Sequence, residues 1–213
     1  TGHNVKEGLA DRMVKHLPES TVRRLGIFAH GEEMVSVHRD EPIFDGAFSN
    51  RCYQEAVKTA FLDFQRRAKK QGRYDPKKDE ILTEQWVRII MHLPYAFQGK
   101  RMFPDVFRHD RREKPIWDEL IAEIGTEPRY VDFEDTPEGE IEYDKAQDAF
   151  RRAISKTAAY QEFHAASIEK GQRASSLIGN QYTGSIFLAM MSTFESDYED
   201  NSLLEGKYFG MCG

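Results

Sequence analysis

One segment with the residues for carbonyl chemistry is Met91-His92-Leu93-Pro94-Tyr95, which places a histidine directly after an apolar run. An imidazole can donate a hydrogen bond to a carbonyl oxygen near neutral pH. Pro94 cannot donate to a strand ladder, so His92 falls where the preceding strand ends. Because open α/β folds bind ligands at the carboxyl ends of their strands, His92 is a candidate site residue. The alternative is a core histidine whose ring is hydrogen-bonded.

A second candidate segment, residues 179–185, reads GNQYTGS and precedes an apolar helical pattern. Its glycines permit close backbone approach, and the helix that follows begins with free N–H groups. The Asn180 side chain offers both donors and an acceptor. It could therefore bind a substrate carbonyl or stabilise the charge that develops on an enolate. The alternative is an ordinary helix-capping turn.

A third segment, residues 43–49, reads IFDGAFS and places Asp45 before a glycine. Asp45 could orient a neighbouring side chain or bind a substrate hydroxyl, whereas an Asp-Gly turn ahead of a helix is the structural alternative. Cys52 follows near the start of that helix, where a thiol pKa can be lowered, and is a lower-ranked candidate nucleophile. Cys212 lies in the last predicted strand and is interpreted as a small buried hydrophobe.

These residues must be positioned by an alternation of helices and strands. Apolar residues at helical spacing predict a long helix over 49–71, and a mostly apolar run predicts a buried strand over 85–93. The same criteria predict a last strand over 207–212 and further helices over 96–103, 117–124, 143–170 and 185–194. This alternation indicates an α/β layered fold.

The stretches between these elements are interpreted as surface or connecting segments. Residues 108–114 form a charge run, RHDRREK, which favours a solvated surface segment. Residues 127–142 are acidic and contain two prolines and a glycine, which predicts a surface loop. Residues 171–179 are predicted to be a connection between two helices.

Composition argues against several classes of protein. The 213 residues carry 30 Lys and Arg against 36 Asp and Glu, a net charge of −6, which makes general nucleic-acid binding a poor hypothesis. No apolar run approaches the ~18 residues of a membrane-spanning helix. The two cysteines, Cys52 and Cys212, form neither a CxxC pair nor a Cys/His cluster. We therefore expect no metal site, and the cytoplasm is the natural compartment.

Taken in order, the three segments resemble the 3-hydroxy-3-methylglutaryl-CoA (HMG-CoA) synthase family of the thiolase superfamily. Residues 44–49, with the tyrosine and long helix that follow, resemble the family's VDGxLS-xxxY segment. Residues 91–95 are similar to FHxPF/Y, and residues 179–185 to GNxYTGS. Residues 99–101, Gly-Lys-Arg, follow the histidine at the family's spacing, and residues 204–210 resemble the strand before its Gly-Ser-Gly turn.

The resemblance implies a fold and a reaction. Residues 41–213 would form the C-terminal half of a thiolase-like layered αβαβα fold, cut short near its end, and residues 1–40 match the family poorly. The family loads an acetyl group from acetyl-CoA onto a cysteine. It then forms a carbanion, adds it to the ketone of acetoacetyl-CoA and hydrolyses the thioester. The product, HMG-CoA, leads into the mevalonate route to isoprenoids. CoA thioesters are the substrates, and no separate cofactor is implied.

The resemblance also implies roles for individual residues. His92 would bind and polarise the acetoacetyl group, Asn180 would match the asparagine of the acyl site, and Asp45 would match a supporting aspartate. Lys100 would match a basic residue near CoA, although Phe97 stands where the family often has a lysine. The substrate-binding candidates are Lys100, Arg101, Tyr182 and Ser185.

The family's nucleophilic cysteine and general-base glutamate belong to its N-terminal half, and neither is found here. Cys52 aligns with a helix position. We therefore expect a fragment that is inactive alone, is completed by the N-terminal half of the same fold, and forms a homodimer in the whole enzyme. One alternative is a β-branching synthase of polyketide pathways that acts on carrier-protein thioesters. Another is a non-catalytic subunit that completes a partner's active site.

Overall fold

A computed structural model describes residues 46–200 and 204–212, so Asp45 and residues 1–40 lie outside the described residues. The chain divides into two compact units, residues 1–52 and 53–213. The helices, in chain order, are α1 (Gly46–Lys70), α2 (Gln98–Met102), α3 (Pro104–Arg111), α4 (Pro115–Ile124), α5 (Pro137–Ile154), α6 (Ala158–Ser167), α7 (Glu169–Ile178) and α8 (Ser185–Glu199). The strands are β1 (Trp86–Met91) and β2 (Tyr208–Cys212).

In the described part of the chain, β1 and β2 pair in parallel. Trp86 lies opposite Tyr208 and Met91 opposite Cys212, with an irregularity in the ladder just after Trp86. Parallel strands need a crossover connection, and helices α2 to α8 supply it here. The close approach of the strands requires Gly210, because a Cβ there would lie 2.5 Å from the Trp86 ring. Helices and a parallel sheet confirm the predicted α/β class.

The core forms where β1 meets the helices that follow it. The apolar residues Ile89, Ile90 and Met91 of β1 are each about 1% exposed, and the strand packs against α6, α7 and α8. Helix α1 contributes Val57 and Phe61 to the same apolar cluster. The last residues of β1 are thus buried up to the point where the strand ends, immediately before His92.

The structure corrects the prediction of one helix over 143–170 and a connection over 171–179. Helix α5 already begins at Pro137, within the predicted acidic loop, and ends at Ile154. Thr157 then acts as the N-cap of α6, since its hydroxyl accepts the N–H of Tyr160 at 3.2 Å. The backbone departs from regular helix again at Ile168, and residues 169–178 form α7. The sequence shows a continuous apolar stripe here because Thr157 keeps the helical spacing of the stripe, whether it lies within a helix or caps one.

The prediction that residues 108–114 form a solvated segment is wrong. Arg108, Asp110, Arg111 and Lys114 are all buried. The Asp110 carboxylate accepts the backbone N–H groups of Leu82 and Thr83 at 3.0 and 2.7 Å, together with the Thr83 hydroxyl at 2.6 Å.

Its neighbour Arg111 is partnered as well. The guanidinium lies 3.9 Å from the centroid of the Phe107 ring and pairs with Glu84. Buried charges are tolerated when they are paired and hydrogen-bonded, and partners distant in sequence supply both conditions. The segment therefore ties α3 to the turn that leads into β1.

None of the described helices has the length and apolar character needed to cross a membrane.

Candidate active site

His92 follows β1, and its backbone is held on both sides. Its N–H donates to the carbonyl oxygen of Cys212 at 2.7 Å, which extends the β1–β2 ladder by one residue. Its own carbonyl oxygen accepts the Tyr53 hydroxyl at 2.6 Å. The Tyr53 ring meets the imidazole edge-on, with the ring centroids 6.1 Å apart. The histidine is thus fixed at the carboxyl end of the strand, as the sequence predicts.

The imidazole of His92 is bonded to the first residue of α8. Its Nδ1 lies 2.6 Å from the Ser185 Oγ, and the Leu93 N–H donates to that same oxygen at 3.1 Å. Ser185 is fully buried, whereas His92 is half-buried. Burial lowers the pKa of His92 below its ordinary value, which favours the neutral ring. Two segments that the sequence marks separately, 93 residues apart, therefore meet here.

Asn180 and Tyr182 lie in the exposed loop that leads from α7 into Ser185. Gly179 ends α7 with φ of 87°, and Tyr182 has φ of 48°, an uncommon conformation for a residue with a side chain. The Asn180 Oδ1 accepts the Tyr182 N–H at 2.7 Å, an Asx turn that holds this geometry. No group in the described part of the chain accepts from the amide nitrogen of Asn180, and this side chain is exposed.

Lys100 and Arg101 lie on α2, the short helix that follows His92 in the chain. The Lys100 ammonium donates to the Gln161 side chain at 2.9 Å, and the Lys100 carbonyl accepts the Tyr160 hydroxyl at 2.8 Å. The exposed Arg101 guanidinium lies 5.7 Å from the centroid of the Tyr95 ring and donates to its hydroxyl at 3.3 Å. Arg101 therefore contacts the segment that carries His92 through Tyr95, whereas Lys100 is bonded to α6.

Neither thiol is activated as a nucleophile. Burial raises the pKa of Cys212 to about 11. Burial also raises the pKa of Cys52, and the nearby Arg51 only partly opposes this shift. A reactive thiol needs the opposite shift, so the structure argues against Cys52 as the nucleophile. Within the described ranges, no group of three or more His, Cys, Asp or Glu side chains is placed to hold a metal ion.

The sequence of residues 35–212 matches the family model described as "Hydroxymethylglutaryl-coenzyme A synthase C terminal". The chain belongs to this family. Over 175 residues it is 28% identical to the hydroxymethylglutaryl-CoA synthase of Haloferax volcanii, an alignment that covers 82% of this chain and 36% of that protein.

The fold is similar to that of MvaS in complex with 3-hydroxy-3-methylglutaryl coenzyme A, with a TM-score of 0.51 and 23% identity. This alignment covers 83% of the chain and 34% of MvaS. The chain thus spans about a third of the length of each of these two proteins. The predicted thiolase-like α/β fold and its C-terminal position within the family are confirmed.

Some of the predicted site residues are hydrogen-bonded to each other, and others are only near them in sequence. His92 and Ser185 are bonded to each other, and Asn180 and Tyr182 lie on the loop just before Ser185. Lys100 and Arg101 follow His92 on α2, and Asp45 lies outside the described residues.

Two supporting residues, Tyr53 and Gln161, are not among the site residues that the sequence predicts. Tyr53 follows the Asp45 segment at the start of the long helix, and its hydroxyl donates to the His92 carbonyl. Gln161 falls within the predicted helix over 143–170, and its side chain accepts from Lys100. A polar group on an otherwise apolar helical face is the signal that marks both residues.

Proposed function

We propose that this chain supplies the acetoacetyl-binding half of an HMG-CoA synthase active site. The whole enzyme would be an acyltransferase that condenses acetyl-CoA with acetoacetyl-CoA. The observation that carries the proposal is His92, fixed at the end of β1 and bonded to the residue that begins α8. This pairing joins two of the three segments that resemble the family's motifs.

The proposed reaction needs hydrogen-bond donors where charge develops. A carbanion derived from an acetyl thioester attacks the ketone carbon of acetoacetyl-CoA. The ketone oxygen gains negative charge and then a proton, and water cleaves the enzyme thioester. A neutral imidazole and a carboxamide N–H can stabilise such an oxygen, which suits His92 and Asn180. Asp45 would support this site.

The remaining candidates fit the CoA portion of the substrates. Phosphate groups suit cations, so we assign Lys100 and Arg101 to CoA. Tyr182 lies 77% exposed on the Asn180 loop, where it can contact substrate. Ser185 belongs to the site through its bond with His92. No cofactor besides the CoA thioesters is needed by this reaction.

The exposed face of α8 supports a partner beside this site. Phe187, Met191, Phe194 and Tyr198 recur at helical spacing and are 40–84% exposed, and we call them the α8 stripe. Contiguous apolar surfaces of this kind mark interaction sites. Because α8 begins at Ser185, a segment that covered the stripe would lie close to His92. We propose the N-terminal half of the same fold, carrying the nucleophilic cysteine, as that segment.

The coding sequence upstream of Thr1 tests this partner proposal. An open reading frame that encodes a further half-domain with a cysteine and a glutamate supports one continuous synthase. A start codon immediately upstream of Thr1 refutes it and makes this chain a separate subunit. We also propose that the enzyme is a cytoplasmic homodimer. Gel filtration of the complete protein tests whether it is a dimer.

Substitution of His92 by alanine in the complete gene product tests the function. We expect condensation with acetoacetyl-CoA to be abolished, because the ketone loses its polarising donor, while acetylation of the cysteine by radiolabelled acetyl-CoA continues. Loss of acetylation together with normal condensation by pre-acetylated enzyme would refute the assignment. Parallel assays with acetyl-CoA and an acetylated carrier protein separate this function from carrier-dependent β-branching.

A further inference from the structure

We propose that Ser185 is a positioning residue that sets the tautomer of His92. Its hydroxyl holds Nδ1 as a hydrogen-bond acceptor, so the ring proton lies on Nε2 and is presented to the ligand. The tautomer follows from the geometry of this chain alone. Only the identity of the group that meets the Nε2–H rests on the proposed function.

The hydrogen atoms available at the Ser185 Oγ determine the direction of its bond to His92. The Leu93 N–H can only donate, so the contact of 3.1 Å makes the serine oxygen an acceptor. The single hydroxyl hydrogen then needs an acceptor of its own. Ser185 has no exposure to solvent, and among the described residues the acceptor within reach is His92 Nδ1, at 2.6 Å.

The opposite tautomer would leave a buried donor unsatisfied. If Nδ1 carried the proton, the Ser185 oxygen would accept two hydrogen bonds and its own hydrogen would have no partner. Such a group is costly to bury, so the pair settles into the arrangement in which every hydrogen is used. In a neutral imidazole this places the proton on Nε2.

The other contacts of His92 do not select a tautomer. Its two backbone groups are bonded to Cys212 and Tyr53, and neither bond involves the ring nitrogens. The Tyr53 ring meets the imidazole by its edge. Burial raises the pKa of Tyr53 and of Cys212, so both neighbours stay protonated and uncharged at neutral pH. Ser185 is therefore the group that determines which nitrogen carries the proton.

The chain contains a matched control on the same helix. Ser192 lies two turns further along α8 and is 4% exposed. Its hydroxyl accepts the Ala174 N–H at 3.1 Å and donates to the Lys170 carbonyl at 2.7 Å. Ser192→Ala removes the same donor and acceptor pair from the same helix without touching His92. It measures the structural cost of losing a buried serine.

The experiment records the ring ¹⁵N spectrum of histidine-labelled protein at pH 7.5, with the His92 signals assigned from His92→Gln. We expect the Nε2–H tautomer in the wild type and in Ser192→Ala, and a mixture of tautomers in Ser185→Ala. An Nδ1–H tautomer or a mixture in the wild type overturns the proposal, and this spectrum is informative even if Ser185→Ala fails to fold. An unchanged spectrum in Ser185→Ala also overturns it.

Kinetics separate this inference from the proposed function. In the complete enzyme, Ser185→Ala should lower kcat for condensation in proportion to the Nε2–H tautomer that is lost, about twofold for an equal mixture, with a smaller change for Ser192→Ala. A shift of tautomer in Ser185→Ala without any loss of condensation supports the role of Ser185 and refutes the catalytic role proposed for His92.

Discussion

The buried carboxylate of Asp110 should be one of the largest single contributors to the stability of this chain. It accepts three hydrogen bonds from Leu82 and Thr83, both of which are almost fully buried. These two residues belong to the 3₁₀ turn, Leu82–Gln85, that leads directly into β1 and hence to His92. Replacing Asp110 by alanine removes the shared acceptor of two backbone N–H groups and of the Thr83 hydroxyl hydrogen.

The expected cost follows from the number and kind of these bonds. Hydrogen bonds to a charged group contribute about 1.5–3 kcal/mol each, and bonds that share one acceptor are not additive. We therefore expect Asp110→Ala to lower the free energy of unfolding by about 3–5 kcal/mol, as is typical when one partner of a buried ionic group is removed. Asp110→Asn keeps the volume and one acceptor oxygen, so its cost should be about half as large.

Urea denaturation followed by circular dichroism measures this effect. The matched control is Asp132→Ala, which removes an exposed carboxylate that pairs with Arg129. That variant should unfold at the same urea concentration as the wild type, because exposed ion pairs contribute little. If Asp110→Ala and Asp132→Ala unfold alike, the buried segment 108–114 does not stabilise the protein as the geometry indicates.

Two further predictions concern His109 and Tyr53. Burial, followed by the charges of Arg112 and Arg108, lowers the pKa of His109 to about 4. Between its unfolded pKa of about 6.5 and pH 4, the unfolded chain binds a proton that the folded chain rejects, so stability falls as the pH falls. Relative to wild type, His109→Gln should gain stability from pH 7 to pH 4.5 in urea titrations, and a constant difference would contradict this. Tyr53→Phe removes the donor to the His92 carbonyl but keeps the ring. It should cost about 1 kcal/mol in the same assay, and an unchanged urea midpoint would exclude that contribution.

Local pattern was sufficient for the elements that carry the site. The apolar periodicity of α1 and the apolar run of β1 predicted both within a few residues of their observed bounds. His92 was placed at the end of β1 because a following proline ends a strand ladder, and this position is observed. These features depend on spacing along the chain, which a single sequence records directly.

The boundaries among α5, α6 and α7 were not predictable in this way. Thr157 occupies a position on the apolar stripe and also caps α6, and the sequence does not distinguish the two uses. Tyr160, in the first turn of α6, is held by tertiary contacts, since its hydroxyl donates to the Lys100 carbonyl and its ring packs against Phe107. Tertiary contacts overrode local periodicity at this break.

The sequence by itself determined which residues are candidates for the chemistry and, for those in the described part of the chain, on which elements they lie. The tertiary structure decided what those residues touch. It alone bonded His92 to Ser185 across 93 residues of chain, and it buried Arg111 beside Phe107 where the sequence indicated a solvated charge. The physical reason is that helix and strand patterns arise from neighbours in sequence. The state of a charge or a ring nitrogen depends on partners that only folding brings within hydrogen-bonding distance.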